Sequence, residues 1–336
     1  MLDAHRQQLL DKRHRRMKLV IQIPCYNEEA TLALTLNDLP RQLDKIERIE
    51  RLVIDDGSTD RTTEIAHEHG VEHVLSFPQN RGLARAFVAG IEASLAAGAD
   101  IIVNTDADNQ YCAADIPNLI QPILDGRAEI VIGARSIAQT EHFSTSKKML
   151  QRLGSWVVRV ASNTKVADAP SGFRALSRDA ARRLNVFSKY SYTLEMIIQA
   201  GQKNITIVSV PIRTNPPSRQ SRLMKSTLGY VLRSLGTIIR IFMSYSPLRF
   251  FLTLSSVPLA AGLILSARWL VLYFSGTPRS HVPSLVAAAV FLLAGFQLVI
   301  LGLVADLLSV NRKLLEDVQL RMRRSEPTGS DAERNR

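Results

Sequence analysis

Asp106 and Asp108 stand one residue apart in NTDADNQY (104–111), directly after the apolar run DIIV (100–103). In an extended segment, residues i and i+2 point to the same side. Two carboxylates aimed at one point repel unless a cation or hydrogen-bond donors sit there. Together with Gln110 they offer hard oxygen ligands of the kind that suit Mg2+ or Mn2+. The bland alternative is a loop of helix-capping acids, since Asp, Asn and Gln are common in turns. The surrounding elements have to choose between the two.

Those elements alternate. Short β-rich runs at 18–24 (KLVIQIP), 51–55 (RLVID), 72–77 (EHVLSF), 101–105 (IIVNT) and 129–133 (EIVIG) predict strands. Helical patterns at 28–39, 60–69, 82–98 and 115–125 lie between them. Such alternation predicts an α/β fold with a mostly parallel, Rossmann-like sheet. In these sheets ligands bind at the carboxyl ends of the strands. Four polar clusters fall at those ends: PCYNEEA, DDGSTD, PQNRG and DADNQ. Each has a local explanation, such as Asp60 capping a helix or Gly57 making a tight turn. Random loops would scatter such clusters over both edges, so their agreement argues for a site. The chemistry it suits is that of a nucleoside diphosphate. Asp55 or Asp56 could accept hydrogen bonds from a base or ribose, and the turn at 80–82 with Arg81 could approach phosphates. No GxxxxGK[ST] loop and no GxGxxG follows a strand, which disfavours P-loop and dinucleotide chemistry.

The chain has 336 residues, 46% of them hydrophobic and 22% charged, which is the composition of a folded protein. Its only cysteines, Cys25 and Cys112, exclude a disulfide framework and fit a reducing compartment. Residues 1–17 form a basic extension without the apolar run of a signal peptide. The net charge of +11 is unevenly placed, for there is no acidic residue between Glu195 and Asp306. That region is also the most hydrophobic, which favours an anionic membrane surface over nucleic acid. Residues 248–274 and 283–308 are each long enough to cross a bilayer, which takes about 20 apolar residues. The linker 275–282 holds one basic residue, Arg279, whereas both flanks are rich in Arg and Lys. The positive-inside bias then places both termini, and everything before 248, in the cytoplasm. Residues 218–246 predict amphipathic interfacial helices, and 310–336 a tail that is polar from Ser325.

Seven motifs in one order carry a resemblance: IPCYNEEATL, VIDDGSTDRT, NRGLARA, DADNQ, VIGAR, PSGFRALSR and VPIRTNPPSRQSRL. The chain resembles a family-2 glycosyltransferase of GT-A fold over about residues 18–225. More narrowly it looks like the polyprenyl-phosphate sugar transferases, the dolichol-phosphate mannose synthase and bacterial prenyl-phosphate glucosyltransferase group. The resemblance implies a GT-A domain at 18–217 followed by juxtamembrane helices and a membrane hairpin within 247–309. It implies that Pro24, Tyr26, Glu28, Asp55, Asp56, Arg81 and Asp106 line the nucleotide-sugar pocket. Asp106, Asp108 and Gln110 would hold the divalent cation, and Asp108 and Arg135 would be catalytic. Arg135, Arg152, Ser155, Arg174, Arg213 and Arg222 would meet the acceptor phosphate, with Ser171, Gly172 and Phe173 shaping the acceptor side. Leu83 and Ala84 replace a Lys-Gly pair common in the family, and Ser221, Arg222 and Leu223 replace Ser-Lys-Leu. No QxxRW motif is present, which argues against a processive polysaccharide synthase.

The expected reaction is therefore transfer of one sugar from an NDP-sugar, UDP- or GDP-linked, to a polyprenyl phosphate. It needs Mg2+ or Mn2+, inverts the anomeric centre and takes place on the cytoplasmic face of the inner membrane. Glu195 could orient the sugar or contact a basic residue. The expected partners are the donor, the lipid and the membrane, without nucleic acid; a homo-oligomer is an open alternative. Two rival readings remain at this level: a transferase acting on another glycolipid or glycan, and a catalytically silent membrane scaffold.

Overall fold

The computed structural model describes residues 17–135, 164, 166–184, 192–216, 239–240, 243, 246–275 and 282–325. The chain divides into two compact units, residues 1–234 with 328–336, and residues 235–327.

The first unit is built on one seven-stranded sheet. Its elements in chain order are β1 (Met17–Cys25), α1 (Leu32–Asp38), β2 (Ile46–Asp55), α2 (Thr62–Glu68), β3 (His73–Ser76), α3 (Leu83–Ala96) and β4 (Ile101–Asn104). There follow α4 (Ile116–Leu124), β5 (Ile130–Arg135), β6 (Arg174–Ser177), α5 (Arg178–Arg183), α6 (Tyr192–Gln202) and β7 (Ile207–Ile212). The strands lie in the order β3-β2-β1-β4-β6-β5-β7. Six run parallel; β6 alone is antiparallel, to β4 on one side and β5 on the other. The largely apolar runs of β1 and β4 are explained by burial on both faces. Leu19, Ile21 and Ile23 of β1 meet Ile101 and Val103 of β4, Phe173, and Ile116 and Leu119 of α4 in the main core.

The five expected strands and four expected helices are present, with shifted ends. β2 begins at Ile46, and α1 is shorter than 28–39 because a turn closed by Thr31 and Leu32 N–H groups on the Glu28 carbonyl precedes it.

The second unit contains two long helices, α7 (Pro247–Phe274) and α8 (Val282–Ser325). The segments Pro247–Phe274 and Val282–Asn311 are long and apolar enough to cross a membrane, and both are largely exposed. They pack through glycines: a Cβ on Gly262 would come within 2.7 Å of Leu292, and one on Gly295 within 2.6 Å of Leu259. Absent side chains at these points let the two backbones approach closely.

Candidate active site

Strand direction gathers the site. β1, β2, β3, β4, β5 and β7 all end on one edge of the sheet, and antiparallel β6 begins there. Pro24, Tyr26, Glu28, Asp55, Asp56, Arg81, Asp106, Asp108, Gln110, Arg135, Arg174 and Arg213 therefore share that edge. Successive strands go from β1 outward to β2 and β3, then across to β4, so the topological switch point lies between β1 and β4. β4 pairs with β1 only as far as Gln22, leaving Pro24 and Cys25 paired with β2 alone. A crevice at such a switch point is where open α/β sheets bind ligands.

The loops on this edge are tied to one another. Asn27 N–H donates to Ser58 Oγ at 2.9 Å, and Glu28 N–H to Thr62 Oγ1 at 2.9 Å. Asp60 accepts from the N–H groups of Thr62 (3.0 Å) and Glu29 (3.1 Å), so it caps its own turn and also fastens the β1 loop. Asp55 accepts from Ser58 N–H and Thr63 Oγ1, both at 3.0 Å. Asp56 accepts from the N–H groups of Arg81 at 2.7 Å and Gly82 at 2.9 Å. Both aspartates are buried. Each carboxylate thus first holds a loop in place, and each retains acceptor capacity beyond its two bonds. Tyr26 is exposed, while Arg81 lays its guanidinium 5.0 Å from the Phe77 ring.

At the end of β4, burial and then the Asp108 carboxylate push Asp106 up to about 7, against the opposing pull of Arg135 and Arg174. Asp108 Oδ1 accepts from Gln110 N–H at 3.1 Å. Gly172 packs against Asp106 closely enough that a Cβ there would lie 2.8 Å from Oδ1. Gly172 is itself fixed on both sides, its N–H donating to Tyr111 Oη (3.0 Å) and its carbonyl accepting from Asn104 Nδ2 (2.8 Å). Tyr111 stacks on Phe173 and is pushed up to about 12, mainly by burial and then by Asp106. Asn104 and Asn109 are structural neighbours: Asn104 also accepts from Gln22 Nε2, and Asn109 donates to Asp38. Among the described residues no group of three or more His, Cys, Asp and Glu side chains is placed to hold a metal. Two carboxylates whose mutual repulsion raises a pKa fit a Mg2+ or Mn2+ that takes its remaining oxygens from a diphosphate and water.

The arginines divide. Arg135 makes a bidentate pair with Asp168, at 2.7 and 3.1 Å. Burial works against its charge, but the bonds to Asp168 outweigh this and raise its pKa. Arg213, exposed, pairs with buried Asp115 at 2.7 Å. Arg174, expected to meet the acceptor phosphate, faces backbone carbonyls instead of the open edge. It is fully buried, and its guanidinium donates to the carbonyls of Ser171, Thr193 and Ala169. It clamps the loop before β6, and burial lowers it to about 10. Glu195 is also buried, with Gln199 Nε2 at 3.4 Å, so it lies inside the core. Arg152, Ser155 and Arg222 lie outside the described residues. Sequence reasoning missed Asp168 and Asp115, the partners of two selected arginines. The one signal for Asp168 was an acid just ahead of PSGFR.

The Glycosyl transferase family 2 profile matches residues 20–184. The undecaprenyl-phosphate mannosyltransferase of Micrococcus luteus is 32% identical over 206 residues, covering 58% of this chain and 83% of that protein. The UDP-N-acetylglucosamine–dolichyl-phosphate N-acetylglucosaminyltransferase of Methanococcus voltae is 31% identical over 215 residues, 57% of this chain and 83% of that one. Among solved structures, Mycobacterium tuberculosis glucosyl-3-phosphoglycerate synthase with Mn2+, UDP and glucosyl-3-phosphoglycerate aligns at a TM-score of 0.53 and 21% identity. It covers 71% of this chain and 83% of that one, a likeness of fold. With the profile match and these relatives, the chain belongs to glycosyltransferase family 2 and is a glycosyltransferase.

Proposed function

We propose that the protein moves one sugar from an NDP-sugar to a polyprenyl monophosphate, with inversion, at the cytoplasmic face of the inner membrane. The observation that carries the reading is the Asp106–Asp108 pair at the carboxyl end of β4, beside the switch point. Relatives named for undecaprenyl- and dolichyl-phosphate transfer, and two apolar helices of membrane-spanning length, support the lipid acceptor.

Mg2+ or Mn2+, when bound by Asp106, Asp108 and Gln110, supplies charge neutralisation on the leaving diphosphate. Pro24, Tyr26, Glu28, Asp55, Asp56 and Arg81 shape the nucleotide pocket, the last four through the loop bonds that fix them. The acceptor phosphate is ionised near neutral pH, since a phosphate monoester has a second pKa of about 6. Little general-base help is then needed. An acceptor oxygen attacks the anomeric carbon directly as the bond to the diphosphate breaks, which inverts that carbon. Arg135, held by Asp168, and Arg213, held by Asp115, contribute fixed positive charge for bringing two anions together.

Nucleoside diphosphate release from a panel of UDP- and GDP-sugars, with a short-chain prenyl phosphate as acceptor, tests the reading. Asp108→Asn should lower release by on the order of 100-fold while membrane association persists. Wild-type turnover in EDTA, or full activity of Asp108→Asn, would sink the metal assignment. Preference for a neutral glycolipid over the prenyl phosphate would replace the acceptor.

A further inference from the structure

Asn215 lies three residues beyond β7, where the chain leaves the sheet. Both of its nitrogens act on the two peptide groups that flank the Gln110 Cα. Its backbone N–H donates to the Gln110 carbonyl at 2.8 Å, and its Nδ2 donates to the Asn109 carbonyl at 2.9 Å. The Asn109–Gln110 peptide is also bonded at its other end, for the Gln110 N–H donates to Asp108 Oδ1 at 3.1 Å. A peptide group is planar, so a bond at its carbonyl fixes the direction of its N–H. The orientation of Asp108 is thereby linked to Asn215 through one rigid plane.

The surroundings hold both ends of this linkage. On the Asn215 side, Tyr111 bridges to Thr214, and Arg213 is fastened to Asp115 through its backbone N–H and its guanidinium. On the loop side, Asn109 takes a left-handed conformation (φ 55°), with its Nδ2 on Asp38 at 2.9 Å. A loop in that conformation has other peptide orientations within reach, and the Asn215 carboxamide opposes them.

We propose that Asn215 is a positioning residue for the cation site: it fixes the Asn109–Gln110 peptide and through it the Asp108 carboxylate. This rests on the reading of Asp106 and Asp108 as cation ligands. Groups that orient a ligand from behind typically alter metal affinity by about 10- to 100-fold.

The test is Mn2+ binding to the full-length protein in detergent, followed by the EPR signal of free Mn2+, with UDP and, in parallel, GDP. Asn215→Ala and the isosteric Asn215→Asp should each raise the half-saturating Mn2+ concentration about tenfold. Asn215→Gln, which keeps the donor, should recover part of the loss. Ile120→Val, a trimmed core residue of α4, should lower the melting temperature without moving the half-saturation. Wild-type half-saturation in both the Ala and Asp variants overturns the role of Asn215 alone. Failure of the wild type to take up Mn2+ with either nucleotide overturns the cation reading, and this inference with it.

Discussion

A free aspartate titrates near 4, whereas Asp106 is pushed up to about 7 by burial and by Asp108. Between those values the folded, cation-free protein keeps a proton that the unfolded chain has lost. Its stability should therefore fall as pH rises through that window, since stability falls wherever the native state binds more protons. In EDTA the melting temperature is expected to drop between about pH 5 and pH 8, and Asp106→Asn should flatten the slope. Mn2+ with nucleotide should restore stability at pH 8 and do little at pH 5, where a proton occupies the ligand. A wild-type slope identical to that of Asp106→Asn would show that the shift has another origin. The acids carry different work: Asp106 is strained by its neighbour, while Asp55, Asp56 and Asp60 are satisfied by the loops they tie.

At the level of elements, Gly57 is the point where two site loops touch. It has φ of +73°, and a Cβ there would lie 2.5 Å from the Gln79 carbonyl carbon. Gly57→Ala should destabilise the protein by more than about 1 kcal/mol and weaken nucleotide binding, which thermal unfolding and nucleotide titration would measure together. An unchanged pair of values would mean that the loops adjust freely. Five of the six parallel strands and their polar ends were legible because largely apolar runs such as DIIV and KLVIQIP give way to DADNQ and CYNEE, whereas β7 (IVSVPI) was not among the expected strands. β6 was not legible, being four residues, RALS, that open on a buried arginine. Periodicity cannot mark a strand that short, and nothing local tells that Arg174 faces backbone carbonyls rather than a phosphate. Likewise Asn215 and Asn109 are 106 residues apart, a pairing that exists only once the sheet has formed.

At the scale of the whole molecule, the acid-free stretch between Glu195 and Asp306 contains the first helix of spanning length and most of the second, which runs on past Asp306 to Asn311. The charges on either side of the two helices support the proposed orientation, with both flanks in the cytoplasm. In intact cells, a cysteine placed at Ser280 of a chain freed of Cys25 and Cys112 should react with an impermeant maleimide, and one placed at Ser325 should not. The reverse pattern would invert the topology. Strand order has a further consequence for how the chain is made. Among the described strands, β3-β2-β1-β4 and β5-β7 share no ladder except through β6. Until residues 172–177 have emerged, β4 has an uncovered edge and its acidic end lacks Gly172 as a wall. Exposed edges of that kind invite pairing with other chains, so this protein has a window of vulnerability during synthesis that closes when four late residues arrive.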